Sequence, residues 1–418
     1  MIKDLEENAV PEKRILLENV KAINPANIKS YESQGGFKAL HQALKRSPEE
    51  VIEEVKASGL RGRGGAGFLC GAKWELARKS PGDEKVLICN ADEGEVGTFK
   101  DRYILQHNPF ALLEGMAISG YAVGAKKAYI YLRAEYRYLL KGLSAAIDQC
   151  RRKGVLKNLD VEIREGAGAY ICGEESALMN SIEGKRGESR YRPPFPPEKG
   201  LFNKPTIINN VETLVNIPLI VERGSSWYQA LGTKESKGTK LFCVSGDVKR
   251  PGVYEMELGC SLRELVEELA GAVGVKWVQV GGSTGRIIPS DQLDTRLGYE
   301  TVLGSGAVMV FDESRDVLDF VYHTLEFLNE ESCGKCAPCR EGTEVMVEIL
   351  GRLVSGEGSE ADLVNLETLS EAMISTSLCG LGQSAPVPVL DTLTYFREAY
   401  DNRISQSVFL RRLKALNG

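Results

Sequence analysis

A short run near the carboxyl end constrains this chain more than any other feature. Residues 332–340 read SCGKCAPCR, which spaces Cys333, Cys336 and Cys339 two residues apart, and Cys379 follows in SLCGLG with 39 residues between. Each two-residue step returns the next sulfur to the same side, so three thiolates can wrap one metal centre and the remote cysteine can close the coordination. A triplet plus a distant fourth is the pattern of a [4Fe–4S] cluster. A tetrahedral zinc site usually arrives as two C-x2-C pairs; spacing alone favours iron–sulfur and leaves zinc as the alternative. Lys335 and Arg340 stand beside the triplet, where they could offset cluster charge or simply be solvated. The N–H groups of Gly334, Gly380 and Gly382 are candidates to tune such a centre. The other six cysteines, Cys70, Cys89, Cys150, Cys172, Cys243 and Cys260, stand singly among apolar or small residues and read as small buried hydrophobes.

A chain of 418 residues with 43% apolar and 26% charged side chains is globular and implies two to four domains. Its net charge of −6 offers nothing for wrapping nucleic acid. No apolar stretch approaches the 18 residues of a membrane span, and the charged amino terminus lacks a signal-peptide core. A reducing, cytosolic setting is expected, in which clustered cysteines are metal ligands or redox thiols.

The pattern along the chain divides it into four parts. Residues 1–58 form a polar lead-in that ends in the helix of SPEEVIEEVKASGL, with Ser47 as N-cap, Pro48 in the first turn, Glu50 completing a capping box and Gly59 stopping it. Over residues 59–236, strands EKVLICN, KKAYIYLRA and NLDVEIREG alternate with helices in NPFALLEGMAISGYAVGA, EYRYLLKGLSAAIDQCRRKG and EESALMNSIEG. That alternation predicts a three-layer, Rossmann-like α/β domain. Residues 237–315 read hairpin, helix (CSLRELVEELAGA), strand and strand, which suggests a small β-grasp (ubiquitin-like) domain. Residues 316–418 carry apolar residues at three-and-four spacing in four segments and predict a four-helix-type bundle around the cysteines.

Glycine is also abundant, 44 residues, and part of the excess gathers in loops. RGRGGAGF (61–68) satisfies G-x-G-x-x-G but follows a helix, so it is not the usual dinucleotide fingerprint. Its exposed N–H groups, with Arg61, Arg63 and Lys73 nearby and a helix expected near Ala72, suit a phosphate or a flat heterocycle. In VLICNADEGEVGTFKDR, Asn90, Asp92, Glu93 and Glu95 crowd the end of a strand. In REGAGAYICGEESAL, a glycine stretch ends at Gly173 and Glu174 and Glu175 open a helix, where a carboxylate can hold ribose hydroxyls. In NKPTIINNVETLVNIP, Asn209 and Asn210 precede a helix with Thr213 one turn inside. Four such loops in one α/β region point to a large, multi-part cofactor. An iron–sulfur centre moves single electrons and a nicotinamide delivers two together as hydride; a flavin links the two. His41, His107 and His323 are isolated, so hydrolysis is unsupported.

Together GRGGAGF, NADEGEVGTFKDR, GAGAYICGEESAL, NNVETL, ESCGKCAPCR and SLCGLG resemble the NADH-binding 51-kDa flavoprotein subunits of respiratory NADH:quinone oxidoreductase (complex I), a family shared with subunits of NAD-reducing hydrogenases and formate dehydrogenases. The resemblance implies that FMN lies against Gly62, Arg63, Gly64, Gly65, Ala66 and Gly67 with Lys73 reaching in, and against Asn90, Asp92, Glu93, Gly173, Glu174, Ile208, Asn209, Asn210 and Thr213. It implies that NADH stacks on the flavin, with Phe68 and Phe202 about the adenine and Leu76 replacing a further family aromatic. Glu95 would stand near the nicotinamide end and Tyr170 beside the flavin, the two catalytic candidates. Glu175 would face the adenosine ribose and favour NADH over NADPH. Hydride would pass from NADH to FMN, and single electrons onward to a [4Fe–4S] cluster on Cys333, Cys336, Cys339 and Cys379. The implied partners are a thioredoxin-like [2Fe–2S] subunit of the 24-kDa type, a larger iron–sulfur subunit and a membrane-embedded quinone reductase. The implied place is the cytoplasmic face of the inner membrane, as a peripheral subunit.

Overall fold

The computed structural model describes residues 12–404; the first eleven residues of the expected lead-in and residues 405–418 of the expected bundle lie outside them. Three short helices open the described chain, α1 (Ile28–Ser33), α2 (Lys38–Ala43) and α3 (Pro48–Ala57). The third is the one expected from its capping box, which forms as read between Ser47 and Glu50. Residues 12–58 do more than lead in. Leu17, Val20, Ile23, Ile28, Tyr31 and Phe37 are buried in the same core as the sheet that follows. Two buried carboxylates tie them down. Glu114 accepts from the Tyr31 hydroxyl at 2.6 Å and from the Phe37 and Leu40 N–H groups at 2.9 and 3.0 Å, and Glu255 accepts from the N–H groups of Ile15, Leu16 and Leu17.

The chain then alternates through α4 (Cys70–Lys79), β1 (Lys85–Ala91), α5 (Lys100–His107), α6 (Pro109–Val123), β2 (Ala125–Leu132), α7 (Leu140–Arg152), β3 (Asp160–Glu165), α8 (Glu175–Ile182), α9 (Pro196–Lys199), β4 (Thr206–Asn210), α10 (Val211–Arg223) and α11 (Ser225–Gln229). The strands make one parallel sheet in the order β3-β2-β1-β4. Both faces of β1 are covered, which explains its continuous apolar run. Leu87 and Cys89 join the core with α6, whereas Val86 and Ile88 join a second core with α8 and the carboxyl-terminal helices. Two local differences from the sequence pattern appear. The segment TIINN is a fourth strand, too short to stand out, and the helix expected from Glu135 opens as a 3₁₀ turn over Ala134–Leu139 before α7.

A second sheet holds β5 (Thr239–Gly246), β6 (Gly252–Glu257), β7 (Val275–Val280), β8 (Arg286–Pro289) and β9 (Ala307–Asp312) in the order β6-β5-β9-β7-β8. β5 and β6 form the expected hairpin, and β5 pairs in parallel with β9. The helix between β6 and β7 is wound wider than an α-helix, with the Ala270 N–H reaching Leu265 O, five residues back. The remainder is helical: α12 (Val317–Glu330), α13 (Ala337–Val354), α14 (Glu360–Thr376), α15 (Gly380–Ser384) and α16 (Val387–Tyr395). α13 begins earlier than its apolar periodicity indicated, inside CAPCR. Pro338 fits its first turn because that turn has N–H groups with no partner to lose. Among the described residues no helix is long and apolar enough to cross a membrane.

Candidate functional site

In a parallel sheet all strand ends of one polarity open on the same side, and loops that follow neighbouring strands converge there. β1 and β4 are neighbours, and Asn90 pairs in register with Asn210 at their carboxyl ends. Asn90 donates to Gly173 O at 2.9 Å, which draws in the 170–174 segment. Gly64 lies against Asn210, where an added Cβ would come within 3.1 Å of the asparagine Cβ. These approaches enclose a cavity of about 280 Å³. Ten of the residues singled out from the sequence line it: Gly64, Asn90, Asp92, Glu93, Glu95, Tyr170, Gly173, Glu174 and Asn210, and Gly380, which was singled out for the cysteine site.

The remaining candidates stand outside its walls. Arg63, expected against a phosphate, is fully buried and points the other way, donating to the hydroxyls of Tyr228 and Tyr299 and to Lys237 O. Thr213 accepts from the Arg63 N–H at 2.8 Å, and Asn209 accepts from Trp74 Nε1 at 2.9 Å. Lys73 bonds Glu175 at 2.9 Å and Ile208 O at 3.0 Å; Glu175 is also 3.2 Å from Arg192. Gly62, Gly65, Ala66 and Gly67 complete the loop around Gly64. Phe68 and Phe202 are exposed, 61% and 48%, as are Leu69 and Leu76. Phe202 holds a left-handed backbone (φ +51), an arrangement rare for an aromatic residue and common at functional sites.

The cavity also has walls not singled out from the sequence: Lys100 and Asp101 of α5, Thr284 and Ser305 from the second-sheet region, and Ile171 and Leu381. Lys100 and Asp101 sit inside the quoted NADEGEVGTFKDR motif, a signal that was available. Ile171 and Leu381 likewise sit inside the quoted GAGAYICGEESAL and SLCGLG motifs, whereas Thr284 and Ser305 had no such signal, because only the tertiary fold brings them over.

The electrostatics follow from burial. Burial pushes the Asp92 carboxyl up to about 7, against a smaller opposing pull from Arg133. Glu95 is raised for the same reason, although Ser283 N–H and the Tyr170 hydroxyl donate to it at 2.7 and 2.9 Å. Glu93 gives its carboxylate to the N–H groups of Asp101 and Arg102 and to the Tyr136 hydroxyl, so it shapes the wall instead of facing a ligand freely. Glu174 caps α8 through the N–H groups of Ser176 and Ala177. Beneath the floor lies a fully buried ionic group: Lys100 bonds Asp101 at 2.8 Å and Glu212 at 3.0 Å, and Lys240 bonds Glu212 at 2.8 Å. Burial pulls Lys240 down to about 8, whereas Glu212 is held below its ordinary value because Lys240, Lys100 and Arg63 outweigh its burial.

The four cysteines of the opening motif meet next door. Cys336 is the residue before α13, Cys339 lies in its first turn, Cys379 precedes α15, and Cys333 stands in the loop before α13. They line a small void of about 10 Å³ with Ser189, Ser332, Lys335, Leu378 and, notably, Ile171 and Leu381. Those last two also line the larger cavity, so the sites share a wall. Arg186 donates to the Cys333 carbonyl and Arg340 to that of Gly334, both at 2.7 Å, and Lys335 donates to Ser189 O. Three cationic side chains around the loop suit an anionic centre. Burial raises the Cys339 thiol to about 11, so metal binding must displace its proton. Among the described residues no three His, Cys, Asp or Glu side chains close on a single ion. Of the six other cysteines five are buried and Cys260 is half-buried, and none is paired.

Three family models match successive parts of the chain. The family profile described as Nuo51 FMN-binding domain matches residues 55–219, the SLBB domain matches 241–283, and the NADH-ubiquinone oxidoreductase-F iron-sulfur binding region matches 319–403. An NADH-quinone oxidoreductase subunit of Rhizobium meliloti is 44% identical over 411 residues, covering 94% of this chain and 98% of that one. The NADP-reducing hydrogenase subunit HndC of Solidesulfovibrio fructosivorans is 42% identical, covering 94% and 83%. A solved NAD+-reducing [NiFe]-hydrogenase in the H2-reduced state superposes with a TM-score of 0.87 at 41% identity, covering 94% of this chain and 67% of that one.

Proposed function

Because this chain belongs to the family of NADH-binding flavoprotein subunits found in NADH-quinone oxidoreductases and NAD-reducing hydrogenases, an NADH oxidoreductase family, we propose that its larger cavity holds FMN and its four cysteines a [4Fe–4S] cluster. The observation that supports this reading is the shared wall of Ile171 and Leu381, which sets the cavity and the four-cysteine void side by side, as passage of electrons from a flavin to a cluster requires. When bound, the flavin takes hydride from NADH and the cluster carries the electrons away singly.

The residues fit those groups. Main chain at Gly64, Gly94, Gly173 and Gly380 lets a flat ring approach closely. Asn90, Asp92 and Asn210 offer polar edges, and Glu95, fixed by Ser283 and Tyr170, can orient a nicotinamide. Phe68 and Phe202 offer exposed faces to an adenine, and Glu175 can bond ribose hydroxyls. The four thiols line one void, and their spacing, a C-x2-C-x2-C triplet with a remote fourth, suits a cluster with one thiolate per iron better than a zinc site built from two pairs. Ile171 and Leu381 keep the shared wall apolar.

The same reading treats residues 59–236 as a three-layer Rossmann-like flavin domain, 237–315 as a ubiquitin-like β-grasp domain and 316–418 as a four-helix-type cluster domain. Its host is an NADH:quinone oxidoreductase at the cytoplasmic face of the inner membrane. The partners there are a thioredoxin-like [2Fe–2S] subunit, a larger iron–sulfur subunit and a membrane-embedded quinone reductase. What supports that host is the near-complete mutual coverage with the Rhizobium meliloti relative. The likeness to hydrogenase subunits favours a second reading, a hydrogenase diaphorase. Purification with native partners separates them, since quinone reduction by NADH marks one complex and hydrogen-dependent NAD+ reduction the other. Protein made anaerobically is expected to be yellow-brown, to release FMN on denaturation and to contain about four iron per chain. A colourless protein with stoichiometric zinc would overturn the proposal.

A further inference from the structure

We propose that Tyr299, carried by the second-sheet region, is a positioning residue for the flavin: it holds the glycine-rich loop whose Gly64 forms one wall of the cavity. The inference rests on the reading of that cavity as the flavin site. Tyr299 touches the loop at both ends. Its hydroxyl donates to Gly62 O at 2.8 Å and accepts from Arg63 Nη1 at 2.9 Å. Its ring lies under the guanidinium groups of Arg61 and Arg63, 5.4 and 5.8 Å from the ring centre. At the far end Gly67 has φ +65, and a Cβ there would come within 2.6 Å of the tyrosine ring. A loop that passes this close needs glycine, and the ring in turn dictates where the loop can run.

The anchor is itself anchored. The Tyr299 N–H donates to Ser236 Oγ at 2.7 Å. Arg63, held by Tyr299 on one nitrogen, bonds Tyr228 and Lys237 O with the other; its own N–H goes to Thr213 and its carbonyl accepts from Lys240 at 3.0 Å. The residue that faces the cavity is the next one, Gly64. Neither Arg63 nor Tyr299 lines the cavity, so their effect on a ligand passes through the loop. Removing the hydroxyl would strip a partner from a buried guanidinium that already has an unpartnered Nε, and from the Gly62 carbonyl. Both groups then have to be met by a shift of the loop or by water.

The test is Tyr299→Phe, which keeps the ring over Gly67 and deletes the two hydrogen bonds, measured on the holoprotein. The FMN dissociation constant is expected to rise about tenfold. At saturating FMN, kcat should stay within about twofold while KM for NADH rises, and iron per chain and the reduced-cluster spectrum should be unchanged. Tyr299→Leu, which also removes the ring, should weaken FMN further; if it fails to fold, the phenylalanine variant still decides. An unchanged FMN dissociation constant overturns the proposal. Parallel loss of flavin, iron and thermal stability also overturns it, because that marks a general structural role. A wild-type protein that takes up no FMN removes the underlying reading itself, a different failure from a wild type and variant that bind it equally.

Discussion

The four-cysteine site and the cavity beside it share two wall residues and differ in how they are built. In the first, the chemistry lies in side chains of one type, three of them within seven residues, and the backbone only presents them. In the second, it lies in shape: glycine main chain from one segment, buried carboxyls from another, and hydroxyls and an apolar wall from two more distant ones. A site of the first kind fails when one atom is lost. A site of the second kind weakens by factors, because no single residue supplies it.

The largest effect that would break this contrast is expected from Cys379→Ala. The reduced-cluster electron paramagnetic resonance signal should vanish while FMN stays bound; an intact signal would remove Cys379 from the ligand set. Next comes Gly64→Ala, which puts a methyl group 3.1 Å from Asn210 Cβ at the cavity wall. FMN affinity should drop roughly ten- to hundredfold with iron content retained, and wild-type affinity would show that the main chain does not approach the ligand there.

Asp92 sharpens the comparison through pH. Its folded pKa, about 7, lies above the ordinary 3.8, so the folded chain holds that proton more tightly than the unfolded one. Stability from this group is therefore present at low pH and lost as pH rises from about 4 to 7. In flavin-free protein, Asp92→Asn and wild type should melt together near pH 4, and the wild type should fall a few degrees behind by pH 7. Parallel melting curves across that range would refute the assignment. The smallest effect is expected from Glu175→Ala. Its charge is already met by Lys73 and Arg192, so discrimination against NADPH should relax only a few-fold in kcat/KM, and unchanged selectivity would deny it that role.

The same contrast explains what could be read from sequence. Cys333, Cys336, Cys339 and Cys379 were legible because thiols at that spacing have few other uses. The capped helix ending near Gly59 and the β5–β6 hairpin were legible because caps and turns are local. The glycine loop was visible, but the direction of Arg63 was not. A guanidinium beside glycines looks like an anion binder, and only Tyr228 and Tyr299, far along the chain, show that it turns inward. Strand β4 was missed because five residues carry little pattern, and Thr284 and Ser305 because their place on the wall exists only in the folded chain.

Cys379 and Leu381 lie two residues apart, yet one serves the thiolate site and the other closes both sites. Gly64, which lines the larger cavity with Leu381, was synthesised more than three hundred residues earlier. A growing or truncated chain that stops short of this turn therefore lacks the fourth sulfur and the last wall together. The thiolate site and the larger cavity are completed together, by one late turn of the chain.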